Sequence, residues 1–304
     1  MAIRPKVAVV IPALNRPELL ARAIESVKAQ RKVEPQIVVV DDASTVDLRG
    51  RLGPTLVRDV MFVRNPERRN AAYSRNRGVS MVDGELLAFL DSDDFWFPNH
   101  LHTALSSLNE FGASALFVSR YGVAEALSPG AATFCRDGYR FLFERVGDPR
   151  SSTLVCSREL FYSVGGFDAR LDKHQDWDFA LRCSKRSGIL LGGSTTVFID
   201  GEAAGRMSER ANLEASRRFL DKHGPTMTAA QLSRFFFGLL LSSARTSSVC
   251  HARARELFKE YIRLEDFPLR YWALVFNAPI GLLITDTWLF LKRALGRGAK
   301  RSGF

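Results

Sequence analysis

Leu86-Leu87-Ala88-Phe89-Leu90-Asp91-Ser92-Asp93-Asp94 is the stretch on which the fold turns. A continuous apolar run is the pattern of a strand buried on both faces. This one ends on three carboxylates within four residues. Acids packed so tightly repel one another unless a cation lies between them. Hard divalent ions such as Mg2+ or Mn2+ accept carboxylate oxygens and keep places for water and a substrate phosphate. The stretch therefore reads as a buried strand that delivers a metal–diphosphate site. The plain alternative is a solvated acidic turn capping the next helix, since Asp is a good N-cap. An isolated Asp-x-Asp does not choose between them; the rest of the chain has to.

Upstream the same pattern recurs. Val7 to Ile11 is an apolar, β-branched run stopped by Pro12, and Gln36 to Val40 runs into Asp41-Asp42. Between them Arg16 to Gln30 has helical spacing, with Leu19, Leu20, Ala23, Ile24 and Val27 on one face. Leu56 to Val63 reads as a third strand and Asn70 to Val82 as a helix. Alternating strands and helices imply βαβ units, hence a mostly parallel sheet with helices on both faces. Ligands of such sheets bind beyond the carboxyl ends of the strands. Asn15-Arg16, Asp41-Asp42 and Asp91/Asp93/Asp94 are then expected to converge on one crevice. Arg75 and Arg77 lie on the helix before the acidic strand, where they could face phosphate oxygens.

Downstream, Pro98 to Phe111 reads as a helix and Ser114 to Phe134 as strands with a turn. Leu154 to Cys156 starts a further strand, followed by a short helix from Arg158 to Val164. Asp176 to Lys185 is amphipathic, and Thr195 to Ile199 is the last strand expected. His100-Leu101-His102 is no metal pair if helical, because residues i and i+2 face apart. Phe235-Phe236-Phe237 reads as helix packing. Phe95 and Trp96 are candidates for the wall of a donor or acceptor channel.

The chain has 304 residues, enough for about two domains. Hydrophobic residues at 46% and charged residues at 25% exclude wholesale disorder. Lys+Arg 43 against Asp+Glu 33 leaves +10, which suits an anionic partner without naming it. No helix shows a basic face with interleaved aromatics, so nucleic acid is not the expected partner. The four cysteines include no C-x-x-C pair, and a reduced, cytoplasmic setting is expected. The first apolar run is too short for a signal peptide.

Several of these stretches also resemble the family 2 glycosyltransferases. They are Val7-Ala-Val-Val-Ile-Pro-Ala-Leu-Asn-Arg16, Val38-Val-Val-Asp-Asp-Ala-Ser44, Ser74-Arg-Asn-Arg-Gly78 and Leu87-Ala-Phe-Leu-Asp-Ser-Asp-Asp94. A second block adds Ser152-Thr-Leu-Val-Cys156, Gly165-Gly-Phe-Asp168 and Asp176-Trp-Asp-Phe-Ala-Leu-Arg182. Each is weak alone, but they stand in family order over about residues 5–210. The resemblance implies a Rossmann-like GT-A fold over 1–210, with a nucleotide-binding half at 1–112 and an acceptor half at 113–210. A helical region at 211–304 follows.

The resemblance also implies roles. Pro12, Leu14 and Asn15 would line the nucleotide pocket, with Arg16 near the diphosphate. Asp42, or else Asp41, would accept a hydrogen bond from the base. Arg75 would contact the diphosphate. Asp91 would bind ribose or reach a Mn2+ or Mg2+ ion through water, and Asp93 would be the direct ligand. Asp176 would be the general base, unless it is only the cap of its helix. Gln175, where many relatives have Glu, His174 and Trp96 would face the acceptor, and Arg206 would fold over the diphosphate.

The implied activity is inverting transfer from a nucleotide-sugar to a glycan or lipid-linked saccharide, in bacterial surface polysaccharide assembly. A nucleotidyltransferase acting on a sugar phosphate is the rival enzyme, and a non-catalytic binder of acidic polymers the rival without chemistry. Tyr271 to Leu291 lacks Lys and Arg, and Lys292 to Arg301 lacks acids. Residues 267–304 are therefore expected to lie along a membrane surface, or else to pack on the protein or a partner.

Overall fold

The computed structural model describes residues 6–111, 114–127, 132–200 and 212–261. They divide between two compact units, Met1–Ala204 and Gly205–Phe304.

The first unit opens with β1 (Val7–Ala13), every residue of which is buried. Alternate side chains feed opposite faces, as the strand period requires. Val7, Val9 and Ile11 join one core with Leu20, Ile24 and Val27 of α1 (Pro17–Lys28). Ala8 and Val10 join the other core with Phe89, Phe167 and Phe179. Helices thus cover both faces. β2 (Gln36–Asp41) and β4 (Leu86–Phe89) pair with β1 in parallel, and β3 (Val60–Arg64) pairs with β2 in parallel. Two short helices, α2 (Leu48–Arg51) and α3 (Pro54–Val57), precede β3. The strand expected from Leu56 therefore starts late: Pro54 opens a helical turn, and Asp59 at φ 62° redirects the chain. α4 (Ala71–Ser80) is capped by Asn70, whose side chain accepts from the Tyr73 N–H. Gly78 lets α4 press on β1, for a Cβ there would sit 2.4 Å from Val10.

The second half of this unit mixes directions. β5 (Phe95–Trp96) and α5 (His100–Glu110) follow the acidic turn. β6 (Leu116–Tyr121), β7 (Thr133–Cys135), α6 (Gly138–Phe143), β8 (Leu154–Ser157), α7 (Arg158–Ser163), α8 (Gln175–Ser187) and β9 (Ile189–Phe198) complete it. The sheet runs β3-β2-β1-β4-β8-β6-β9-β5, with β7 on β9. β8 joins β4 antiparallel, which links the two halves, while β6 and β9 pair in parallel. β9 is ten residues long, so the expected Thr195–Ile199 is only its tail. Within β9, Gly192 lies against the Phe117 ring, where a Cβ would be 2.7 Å away.

The second unit holds α9 (Leu213–His223), α10 (Ala229–Thr246) and α11 (Ser248–Tyr261). Phe219, Phe235, Phe236 and Phe258 fill its interior, so the phenylalanine run is packing. Thr228 and Gln231 form a reciprocal cap on α10. Among the described residues no helix is long and apolar enough to cross a membrane. Residues 267–304 and Arg206 lie outside the described residues.

Candidate active site

The carboxyl ends of β1, β2 and β4 lie side by side, and their polar residues bond to one another across the strands. Asn15, at φ 53°, accepts through Oδ1 from the Thr45 N–H at 2.7 Å, and its own N–H donates to Ser44 Oγ at 2.9 Å. The end of β1 is thereby tied to the loop after β2. Asp41 spends both oxygens on that loop's frame: Oδ1 accepts from the Ser44 N–H at 2.8 Å and Oδ2 from Arg64. Asp42 accepts through Oδ1 alone, from Asn65 at 2.7 Å and from the Arg69 N–H at 3.0 Å. Pro12 is buried and Leu14 half-buried beneath this rim.

The acidic turn after β4 is held at every carboxylate. Arg16 donates to Asp93 Oδ2 at 2.8 Å. Arg75, 3% exposed, pairs with Asp91 and donates to Gln175 Oε1 at 2.9 Å. Its guanidinium lies over the Phe167 ring. Asp94 is buried; its oxygens accept from Ser152 Oγ and, at 3.0 Å, from the Asp200 N–H. Burial and the neighbouring Asp91 and Asp93 push its carboxyl up to about 7. Ser152 Oγ also accepts from the Asp91 N–H at 3.0 Å.

Arg75 is the bridge to the other half. Through Gln175 it reaches the first turn of α8, where Asp176 stands half-buried. Burial pushes Asp176 up to about 6, against the pull of Arg150 and Arg75 and the N–H of Trp177. Arg150 is itself held by Asp148 at 3.0 and 2.9 Å, and Tyr121 donates to the same oxygen at 2.7 Å. Arg75 thus ties the acidic turn after β4 to the first turn of α8.

The fit of a divalent ion can be judged from the donors. Among the described residues no group of three or more His, Cys, Asp or Glu side chains is arranged to hold a metal alone. Asp91 and Asp93 are hard oxygen donors, however, and stand two positions apart on the turn after β4. Two carboxylates fit a Mg2+ or Mn2+ ion whose other ligands come from phosphate and water.

The sequence profile described as "Glycosyl transferase family 2" matches residues 8–161, from β1 through the first part of α7. The chain belongs to this family. It is 30% identical over 240 residues to the uncharacterized glycosyltransferase YwdF of Bacillus subtilis, covering 72% of this chain and 84% of YwdF. It is 34% identical over 123 residues to the succinoglycan biosynthesis protein ExoW of Rhizobium meliloti, covering 38% of each. Among solved structures, S. aureus TarS 1–349 in complex with UDP-GlcNAc superimposes with a TM-score of 0.66 at 16% identity, over 96% of this chain and 92% of that one. The mannosyltransferase PcManGT from Pyrobaculum calidifontis, in complex with GDP-Man and Mn2+, gives 0.55 at 18%, over 100% of this chain and 77% of that one. The fold of this glycosyltransferase is GT-A.

Several expected contacts are corrected by the geometry. Trp96 is 2% exposed, lies tilted against the His100 ring and donates its indole N–H to the Ser152 carbonyl at 2.7 Å, so it cannot face an acceptor. Gln175 is buried; its Nε2 donates to the Leu171 carbonyl and its oxygen is taken by Arg75, so it orients Arg75 rather than a substrate. Arg77 donates to the Arg64 carbonyl and to Asn65 Oδ1, behind the rim rather than toward a phosphate. Asp176 is not the cap of α8: His174 holds that position at φ 65°. The His174 ring lies by Trp177, and burial pushes it down to about 3, so it is neutral. Asp178 is fully buried on Arg182. His100 is buried against Thr196 while His102 faces Lys32, so the two do not form a pair. Ser152 is part of a quoted motif, but its link to the acidic turn is not legible from that motif. Arg22 and Asp200 carry no sequence signal, because each acts on residues far away in the chain, and Arg150 has none either.

Proposed function

We propose that this glycosyltransferase moves one sugar from a nucleotide-diphospho-sugar to a hydroxyl of a glycan or lipid-linked saccharide, with inversion at the anomeric carbon. The observation that carries the reading is Arg75, whose one guanidinium joins Asp91 of the acidic turn to Gln175 beside Asp176. A departing diphosphate and a base can therefore act from two sides of one sugar. Asp42 takes the nucleobase, since its Oδ2 is not engaged by the bonds that hold Oδ1, whereas both oxygens of Asp41 are spent. Pro12, Leu14 and Asn15 line the nucleotide pocket, and Arg16 and Arg75 sit at the diphosphate. Asp93 and Asp91 would hold a Mn2+ or Mg2+ ion, which when bound neutralises charge on the leaving diphosphate.

Asp176 accepts the proton of the acceptor hydroxyl as that oxygen bonds to the anomeric carbon. The bond from that carbon to the phosphate oxygen breaks on the opposite side, and its electron pair leaves with the diphosphate. A carboxylate raised toward neutrality suits this proton transfer. The polysaccharide setting is supported by the name of ExoW, and the nucleotide-sugar by the TarS and PcManGT complexes.

The test is product identity with a panel of nucleotide-sugars, with and without Mn2+. Nucleoside diphosphate should accumulate, and Asp93→Ala should lower the rate on the order of 10²-fold and weaken nucleotide binding. Release of pyrophosphate would assign the chain to nucleotidyl transfer instead. Polymer binding without turnover, unchanged in Asp93→Ala, would make it a binder.

A further inference from the structure

Asp93 is held from two directions by the same helix. Arg16, at the start of α1, reaches its carboxylate. Arg22, further along α1, reaches its backbone carbonyl through Nη2. The same Nη2 donates to Asp200 Oδ2 at 3.0 Å, just beyond β9. The Arg22 guanidinium lies 5.3 Å from the Phe95 ring and 5.9 Å from the Phe198 ring, and these two rings stack at 4.6 Å. Its Nε is buried without a hydrogen-bond partner. One cation therefore fixes three things together: the backbone of the acidic turn, the end of β9, and the antiparallel pair of β5 and β9.

The arrangement has a physical purpose that packing does not supply. The turn closes through the Asp94 N–H to the Asp91 carbonyl at 3.0 Å and holds three carboxylates within four residues. Their repulsion favours opening the turn. A cation on the Asp93 carbonyl opposes that from behind, without occupying the carboxylate itself. Arg16 is different, because it lies on the very oxygen a ligand would take. We infer that Arg22 is a positioning residue, which holds the backbone at Asp93 so that its carboxylate stands ready for the metal–diphosphate group. This rests on the reading of Asp93 as a metal ligand. Arg22 touches no substrate in this account; it acts through Asp93.

The experiment compares wild type, Arg22→Met and Arg22→Lys in the full chain. Methionine keeps an apolar stem against the two rings and removes both hydrogen bonds; lysine restores a cation. The first readout is amide hydrogen exchange without any ligand. Arg22→Met should raise exchange across residues 91–94 by about tenfold and leave β1 and β2 unchanged. The second readout is the Mn2+ concentration giving half-maximal thermal stabilisation in the presence of UDP or GDP. It should rise by about tenfold in Arg22→Met and recover in part in Arg22→Lys. Saturating Mn2+ should restore kcat, which a merely structural loss would not allow. Unchanged exchange at 91–94 in Arg22→Met overturns the inference, as does an unchanged Mn2+ midpoint where wild type responds to Mn2+. A wild type indifferent to Mn2+ counts against the metal reading, and exchange at 91–94 then decides the role of Arg22 by itself.

Discussion

The strand ends of β1, β2 and β4 and the first turn of α8 hold their carboxylates differently. On the side built by β1, β2 and β4, the carboxylates sit in acid–arginine pairs: Asp41 with Arg64, Asp91 with Arg75, and Asp93 with Arg16. On the α8 side, Asp176 accepts the N–H of the next residue and stands near Arg150 without a direct bond to it. Burial there outweighs the nearby cations and raises the carboxyl to about 6. An acid paired with arginine is suited to fixing charge in place, and an acid raised toward neutrality to giving and taking a proton. In the proposed mechanism this contrast would separate the two tasks that sugar transfer requires.

The most severe way to probe that contrast is to remove basicity while keeping shape. Asp176→Asn should lower kcat by about 10³-fold. Its affinity for UDP or GDP, read by thermal shift, should stay within a few-fold of wild type. Equal rates in the two proteins would cancel the division of labour.

Acid titration should give a smaller effect on the same side. As the proposed base, Asp176 would work ionised, so kcat/KM should rise with pH and level off above about 6. Below that point the loss should be about tenfold per pH unit. A profile flat through this range would separate Asp176 from the proton transfer.

Stability should move the opposite way. The Asp176 carboxyl is raised from 3.8 to about 6 on folding, so the folded chain binds this proton more tightly than the unfolded chain. The stability gained from that proton is complete below the unfolded value and disappears as pH climbs through the folded one. Asp176→Asn should therefore be more stable than wild type near pH 8, by about 1–3 kcal/mol, and level with it near pH 4. Chemical denaturation at the two pH values measures this, and a wild type that is the more stable at the higher pH would contradict it.

The mildest probe concerns the donor side. Arg77→Ala removes bonds to the Arg64 carbonyl and Asn65 and should cost about 1 kcal/mol of stability. Nucleotide affinity should not change. A drop in affinity equal to that of Arg75→Ala would place both arginines at the diphosphate.

Ser74-Arg-Asn-Arg-Gly78 explains how much of this site could be read from the chain. The motif is visible in sequence, but its residues serve different ends. Arg75 reaches Asp91 and Gln175; Asn76 pairs with both backbone groups of Phe167; Arg77 braces the end of β3; Gly78 admits β1. Helical spacing separates these directions only when the neighbouring elements are known. Trp96 teaches the same lesson in reverse. It follows the acidic turn directly, yet β5 pairs with β9 and carries its ring inward. Sequence proximity to a site is no guide once the chain has turned into a strand.

What the residues alone determined was the order of the four strands in the first ninety or so positions, with the helices α1 and α4, and the identity of the acids at the strand ends. Apolar runs, helical spacing and capping residues are local, and they act on the chain wherever it lies. What only the folded molecule decided was which partners meet those acids. Arg75 comes to Asp91 from 16 residues away, Ser152 from 61, and Arg16 to Asp93 from 77. Such pairings depend on sheet order and helix placement, and no local pattern in the chain encodes them.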